Sequence, residues 1–78
     1  MRYMYFTSEF CKPCQAIKPR IIKHPEILVI DVDKMDKYVL QYNILSIPTL
    51  LILNGDDTVE HQINGTRINK WLDENLKE

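Results

Sequence analysis

Beyond positions 11 and 14, the chain of 78 residues contains no cysteine. A secreted mini-protein held together by disulfides typically uses four or more, so that class is excluded. No apolar run approaches the roughly 20 residues needed to span a bilayer. Met1–Phe10 carries one Arg and a short apolar stretch and lacks the pattern of a secretory signal. No charge of one sign prevails: the net charge is −1 and the basic residues are scattered among acids. Nucleic acid and anionic membranes are therefore not expected partners. Linkers, repeats and low-complexity segments are also missing. Hydrophobic content of 45% and charged content of 27% are ordinary for a globular protein. The expectation is one small domain over residues 1–78, burying about 60–65% of its unfolded surface. The expected compartment is the cytoplasm, where a lasting structural disulfide is rare and a C-x-x-C pair points to catalysis or metal binding.

The two cysteines stand in Cys11-Lys12-Pro13-Cys14, between an apolar run and a helical stretch. Two thiols on one turn can form a disulfide and trade electrons with disulfides elsewhere. Three other readings stand beside this one. Zinc needs four ligands, and only His24 and His61 could join, so no metal is expected within one chain. A metal site shared between two chains is the second. A purely structural disulfide is the third, although so small a loop stabilises little. His24, before Pro25, reads as a solvated residue at a helix end, and His61 as a packed histidine. Asp31, Asp33 and Asp36 look like a metal cluster, but a strand end followed by a helix N-cap explains them.

Arg2–Thr7 is nearly continuous in apolar and aromatic residues, which predicts a strand buried on both faces. Thr7–Phe10 reads as a loop. A helix is predicted over Lys12–Lys23, with Ala16, Ile17, Ile21 and Ile22 as its apolar face. Pro13 suits the first turn, Pro19 lies inside the helix and should kink it, and Pro25 stops it. Ile27–Val32 is a second run predicted as a strand buried on both faces, parallel to the first. Asp33 is the expected N-cap of a short helix reaching Tyr42, with Asn43 as terminator. Thr49–Leu53 is a third strand and Asn54-Gly55 a hairpin signal. The return strand, Asp57–Ile63, alternates, with Val59, His61 and Ile63 on one face. Thr66 should cap a last helix over Arg67–Leu76, whose Ile68, Trp71, Leu72 and Leu76 share one side. The order β-α-β-α-β-β-α implies an α/β fold: a four-stranded mixed sheet covered by helices on both faces.

Three features, and a closing element beside them, resemble the thioredoxin fold superfamily. Phe10-Cys11-Lys12-Pro13-Cys14 is similar to the family's active-site segment of an aromatic followed by Cys-x-Pro-Cys. Pro19 matches the proline of its active-site helix. Tyr42-Asn43-Ile44-Leu45-Ser46-Ile47-Pro48-Thr49 resembles the segment whose proline is cis, and Asn64-Gly65 before an amphipathic helix resembles the closing element. The resemblance covers nearly the whole chain. It departs in lacking the extra N-terminal strand and helix of full thioredoxins, which makes it glutaredoxin-sized. Tyr5 stands where the family has a buried Asp, Val29 where it has the paired Lys, and Phe10 where it has a Trp. A complete glutaredoxin is not matched either: Ile47-Pro48-Thr49 and Asn64-Gly65-Thr66 replace its usual segments.

The resemblance implies a protein-disulfide oxidoreductase. Cys11 would attack, its thiolate favoured by the helix N-terminus and by Lys12, and Cys14 would resolve the mixed disulfide. Pro13 would stiffen the turn and Pro48 would lie beside the cysteines. Phe10, Ile47, Gly65 and Thr66 would dock an extended substrate segment. No bound cofactor is implied beyond the Cys11–Cys14 disulfide. The implied partners are disulfide-containing proteins, with a thioredoxin-reductase-like flavoprotein or glutathione as electron donor and the chain as a monomer. The alternative is a binding module or accessory subunit that docks through the same surface without turnover.

Overall fold

The computed structural model describes residues 1–76. Its elements are β1 (Arg2–Thr7), α1 (Lys12–Ile21), β2 (Ile27–Asp31), α2 (Asp36–Gln41), β3 (Thr49–Leu53), β4 (Val59–Asn64) and α3 (Arg67–Asn75). The strands form one mixed sheet in the order β2-β1-β3-β4. β1 pairs parallel with β2, Tyr5 opposite Val29 and Thr7 opposite Asp31. It pairs antiparallel with β3, Phe6 opposite Thr49, and β3 pairs antiparallel with β4, Thr49 opposite Asn64. The α/β order and the four-stranded mixed sheet are those expected from the hydrophobic runs.

Successive strand residues face opposite ways, so the continuous apolar run of β1 supplies two cores. Tyr5 packs with Leu50 of β3, Ile17 and Ile21 of α1, and Ile68 and Leu72 of α3. Met4 and Phe6 pack on the other face with Leu51, Leu53 and Ile30, where Tyr38 and Val39 of α2 and Tyr42 close the layer. Arg20 ties α1 to α3: Nη1 donates to the Asn69 side-chain oxygen at 3.1 Å and Nη2 to Asp73 Oδ1 at 2.6 Å.

Several local expectations are corrected. Of the four residues expected on the apolar face of α1, Ile17 and Ile21 are buried, whereas Ala16 and Ile22 are exposed; Cys14 completes the buried face. The helix ends at Ile21, two residues past Pro19. β2 is an edge strand whose Leu28 is 45% exposed, because the six-residue α2 leaves that part of the face uncovered. Asp33 does not cap α2. The helix starts later, with Met35 at the N-cap and no side-chain bond there. Residues 31–35 instead form a turn in which the Lys34 and Met35 N–H groups donate to the Asp31 carbonyl. Asn43 does end α2, in left-handed geometry with φ 53°.

The hairpin after β3 forms, but not as a two-residue Asn-Gly turn. The Asn54 N–H donates to Thr58 O at 2.8 Å, and the left-handed residue is Asp57 at φ 66°, not Gly55. The register then shifts, Leu53 facing Val59 and Ile52 facing His61. This bulge breaks the expected alternation. Val59 and His61 are exposed, and only the far end of β4, at Ile63, reaches the core. Thr66 makes no side-chain cap, since its backbone is already helical. The Gly65 carbonyl, at a residue with φ 63°, accepts the Ile68 N–H instead.

The two faces of exposure predict opposite responses. Leu72→Ala, emptying a fully buried site, is expected to cost about 2–5 kcal/mol. Leu28→Ser at the uncovered edge should stay within about 0.5 kcal/mol. Urea denaturation of both variants checks this, and a large loss in Leu28→Ser would show that β2 is covered in solution.

Candidate active site

The register of the sheet brings four loops to one end. β1 leaves the sheet at Thr7, β2 at Asp31 beside it, β3 enters at Thr49 beside Phe6, and β4 leaves at Asn64 beside Thr49. The cysteine loop, the Asp31–Met35 turn, the Ile47-Pro48 segment and Gly65-Thr66 therefore share this end.

Cys11 and Cys14 are joined in a disulfide, with Cα atoms 5.2 Å apart. Cys11 is the N-cap of α1. Its Sγ accepts from the Cys14 N–H at 3.2 Å, one of the donors that a helix start leaves unpaired. The first turn contains no acidic residue. Cys14 is fully buried, while Cys11 is half-buried and Lys12 and Pro13 are exposed. Pro13 falls at the start of the helix, where its missing N–H removes no bond. Among the described residues, no group of three or more His, Cys, Asp or Glu is placed to hold a metal ion.

The Ile47–Pro48 peptide is cis. Pro48 is buried and its carbonyl accepts the Gly65 N–H at 2.9 Å, which ties Gly65 to this segment. The Thr49 hydroxyl donates to Ser46 O at 2.7 Å, and the Asn64 amide donates to the Thr49 hydroxyl at 2.7 Å. Ile47 is half-buried, Thr66 exposed and Phe10 87% exposed. Leu45, 85% exposed, belongs to an apolar groove with Val32, Val39, Ile44 and Ile47. Sequence reasoning left it out, because an aliphatic residue in a loop carries no periodic signal.

Tyr5 takes a role in the site that the sequence did not assign. It is fully buried, and its hydroxyl donates to the Cys14 carbonyl at 2.8 Å. Burial pushes its phenol up to about 12 from 10.0, with the nearby Thr7 hydroxyl offsetting a part. Its register partner is the aliphatic Val29. Ser8 is also buried, and its carbonyl accepts the Cys11 N–H at 3.2 Å and the Gln15 side chain at 2.8 Å. A Ser just past a strand, bonding the amide two residues on, is an ST-turn; that pattern could have marked Ser8.

The family model for thioredoxin matches residues 3–78, and the chain belongs to the thioredoxin family. The thioredoxin of Chlamydia trachomatis is 31% identical over 64 residues, covering 74% of this chain and 63% of the chlamydial one. That of Bacillus subtilis is 32% identical over 65 residues, covering 74% and 62%. The chain thus spans less than two thirds of the length of either relative. Among solved structures, the reduced thioredoxin pre-protein of Schistosoma mansoni superposes with a TM-score of 0.78 at 26% identity, covering 92% of this chain and 72% of that one. Thioredoxin 1 of Thermosipho africanus, at 24% identity, shares the fold with a TM-score of 0.74, covering 94% and 96%.

The buried phenol makes alkaline stability depend on Tyr5. The folded chain keeps it neutral up to about pH 12, whereas the unfolded chain ionises it near 10.0. This contribution is complete below pH 10.0 and is lost as pH rises towards about 12. Denaturant melts across that range should show a shallower decline in Tyr5→Phe than in the native chain. Equal slopes would place the phenol in water.

Proposed function

We propose that the chain is a thiol–disulfide oxidoreductase that reduces protein disulfides through Cys11-Lys12-Pro13-Cys14. One observation carries the reading: a redox pair with one sulfur half-buried at a helix N-terminus and the other fully buried one turn in. The thiolate is the attacking species, and the open N–H groups of α1 favour negative charge at Cys11. Lys12 adds a cation beside it. The Cys11 thiolate attacks one sulfur of the substrate disulfide, forms a mixed disulfide and releases the first substrate thiolate. Cys14, as its thiolate, then attacks Cys11 Sγ. The second substrate thiolate leaves and the Cys11–Cys14 bond closes, so that two electrons have passed to the substrate.

Phe10, Ile47, Gly65 and Thr66 form the docking surface in this reading. Its support is their convergence at one end of the sheet. The half-buried Ile47 precedes the cis proline, whose nitrogen has no hydrogen to donate, and an extended substrate segment pairs there by strand addition. Partners are disulfide-bearing proteins of the cytoplasm, with a thioredoxin-reductase-like flavoprotein or glutathione returning the electrons. Among the described residues, no helix is long and apolar enough to cross a membrane.

Insulin reduction with dithiothreitol as donor tests the proposal. The native chain should accelerate it, and Cys11→Ser should fall to the rate of dithiothreitol alone. Cys14→Ser should accumulate a mixed disulfide seen on non-reducing gels. A folded native chain that gives no acceleration, and whose double Ser variant still binds its partners, would favour a docking module over an enzyme.

A further inference from the structure

We propose that Asp33 and Ser8 are positioning residues for the attacking cysteine: the Asp33 carboxylate fixes the Ser8 hydroxyl, and Ser8 holds the backbone of Phe10 and Cys11. The inference deepens the reductase reading and rests on it.

The parallel pairing of β1 and β2 sends their following loops out side by side, and the Val32 N–H donates to the Thr7 carbonyl at 2.9 Å. One residue further on, the Ser8 hydroxyl donates to Asp33 Oδ2 at 2.5 Å. A hydroxyl has a single proton. With that proton committed to the carboxylate, a lone pair is turned to the Phe10 N–H, which donates to it at 3.2 Å. The Ser8 carbonyl takes the Cys11 N–H at 3.2 Å. Asp33 is itself oriented, since its N–H donates to Asp31 Oδ1 at 2.9 Å. A chain of bonds therefore runs from the turn after β2 to Cys11, the N-cap of α1.

The other side-chain link between the loops, Lys34 Nζ to Glu9 Oε1 at 3.6 Å, joins side chains 70% and 65% exposed. Such pairs contribute little. Between the side chains of the two loops, the buried Ser8 is held through Asp33, by a charge-assisted bond of the stronger kind. Asp31, Asp33, Lys34 and Glu9 are the charged groups of the two loops, and Lys12 opens α1.

Asp33 acts on Cys11 in two opposing ways. Its negative charge disfavours a thiolate, while the bonds it organises keep the helix start aimed at the sulfur. Substitution separates them. Ser8→Ala breaks the bond and keeps the charge, Asp33→Ala removes both, and Asp33→Asn keeps an acceptor oxygen without the charge.

The test measures two things on the reduced full chain: the rate of Cys11 alkylation by iodoacetamide against pH, and insulin reduction. Cys14 is buried, so alkylation reports Cys11, and it requires no protein substrate. A native chain that alkylates normally but reduces no insulin counts against the reductase reading alone; the alkylation profiles then decide this inference. Ser8→Ala should slow insulin reduction about tenfold, as loss of one such bond implies, and move the alkylation midpoint to higher pH. Asp33→Ala should slow reduction similarly, Asp33→Asn should recover most of that loss, and the double alanine variant should be no slower than either single one. Folded variants with native alkylation profiles and native rates would overturn the proposal, as would additive losses or an Asp33→Asn as slow as Asp33→Ala. If Ser8→Ala does not fold, the two variants of the exposed Asp33 carry the same comparison.

Discussion

The position of β1 between a parallel and an antiparallel neighbour is the constraint on which the rest depends. One short strand, buried from Met4 to Thr7, sets both registers. Because Thr7 faces Asp31 and Phe6 faces Thr49, the segments of the candidate site leave or enter the sheet at one end. A one-residue slip would turn every side chain of β1 to the opposite face. Tyr5 would leave α1 and α3, and the Cys14 carbonyl would lose the Tyr5 hydroxyl. The core and the site are thus secured by the same pairing.

The electrostatics of the site come from the backbone more than from side-chain charge. Cys11 meets the open N–H groups of α1, and the position beside Cys14 is filled by a neutral phenol against an aliphatic Val29. The related thioredoxin pattern has a buried Asp and Lys at these two positions. A buried ion pair carries a desolvation penalty that its attraction need not repay. The Tyr–Val pair avoids that cost with a single hydrogen bond to a carbonyl. The Asp33 carboxylate lies on the exposed side of the site and reaches the cysteine loop through Ser8.

Fold and redox pair were legible in the sequence because they are written in strong, local signals. Continuous apolar runs gave the buried strands, period-3.6 patterns gave α3, and Cys-x-Pro-Cys with Ile-Pro-Thr gave the family. What was misread depended on tertiary competition. Asp33 has the composition of an N-cap, but its carboxylate is claimed by Ser8. Asn54-Gly55 signals a tight turn, yet the left-handed residue is Asp57 and a bulge follows. Leu28 looks like core within an apolar run, but its strand lies at the sheet edge. Tyr5 reads as an ordinary core aromatic, and only its place opposite the Cys14 carbonyl makes it part of the site.

The Cys11–Cys14 bond lies within the first turn of a helix that is independently tethered, by Ser8 at its start and by Arg20 to α3 near its end. So short a covalent ring removes little freedom from the unfolded chain, and the two clusters that pack on the faces of the sheet are built from other side chains. Charging and discharging the dithiol therefore leaves the architecture in place. In the proposed reductase cycle, electrons would pass repeatedly without refolding between rounds, and the tempo would be set by encounters with donor and acceptor and by sulfur chemistry, not by a search for the native state.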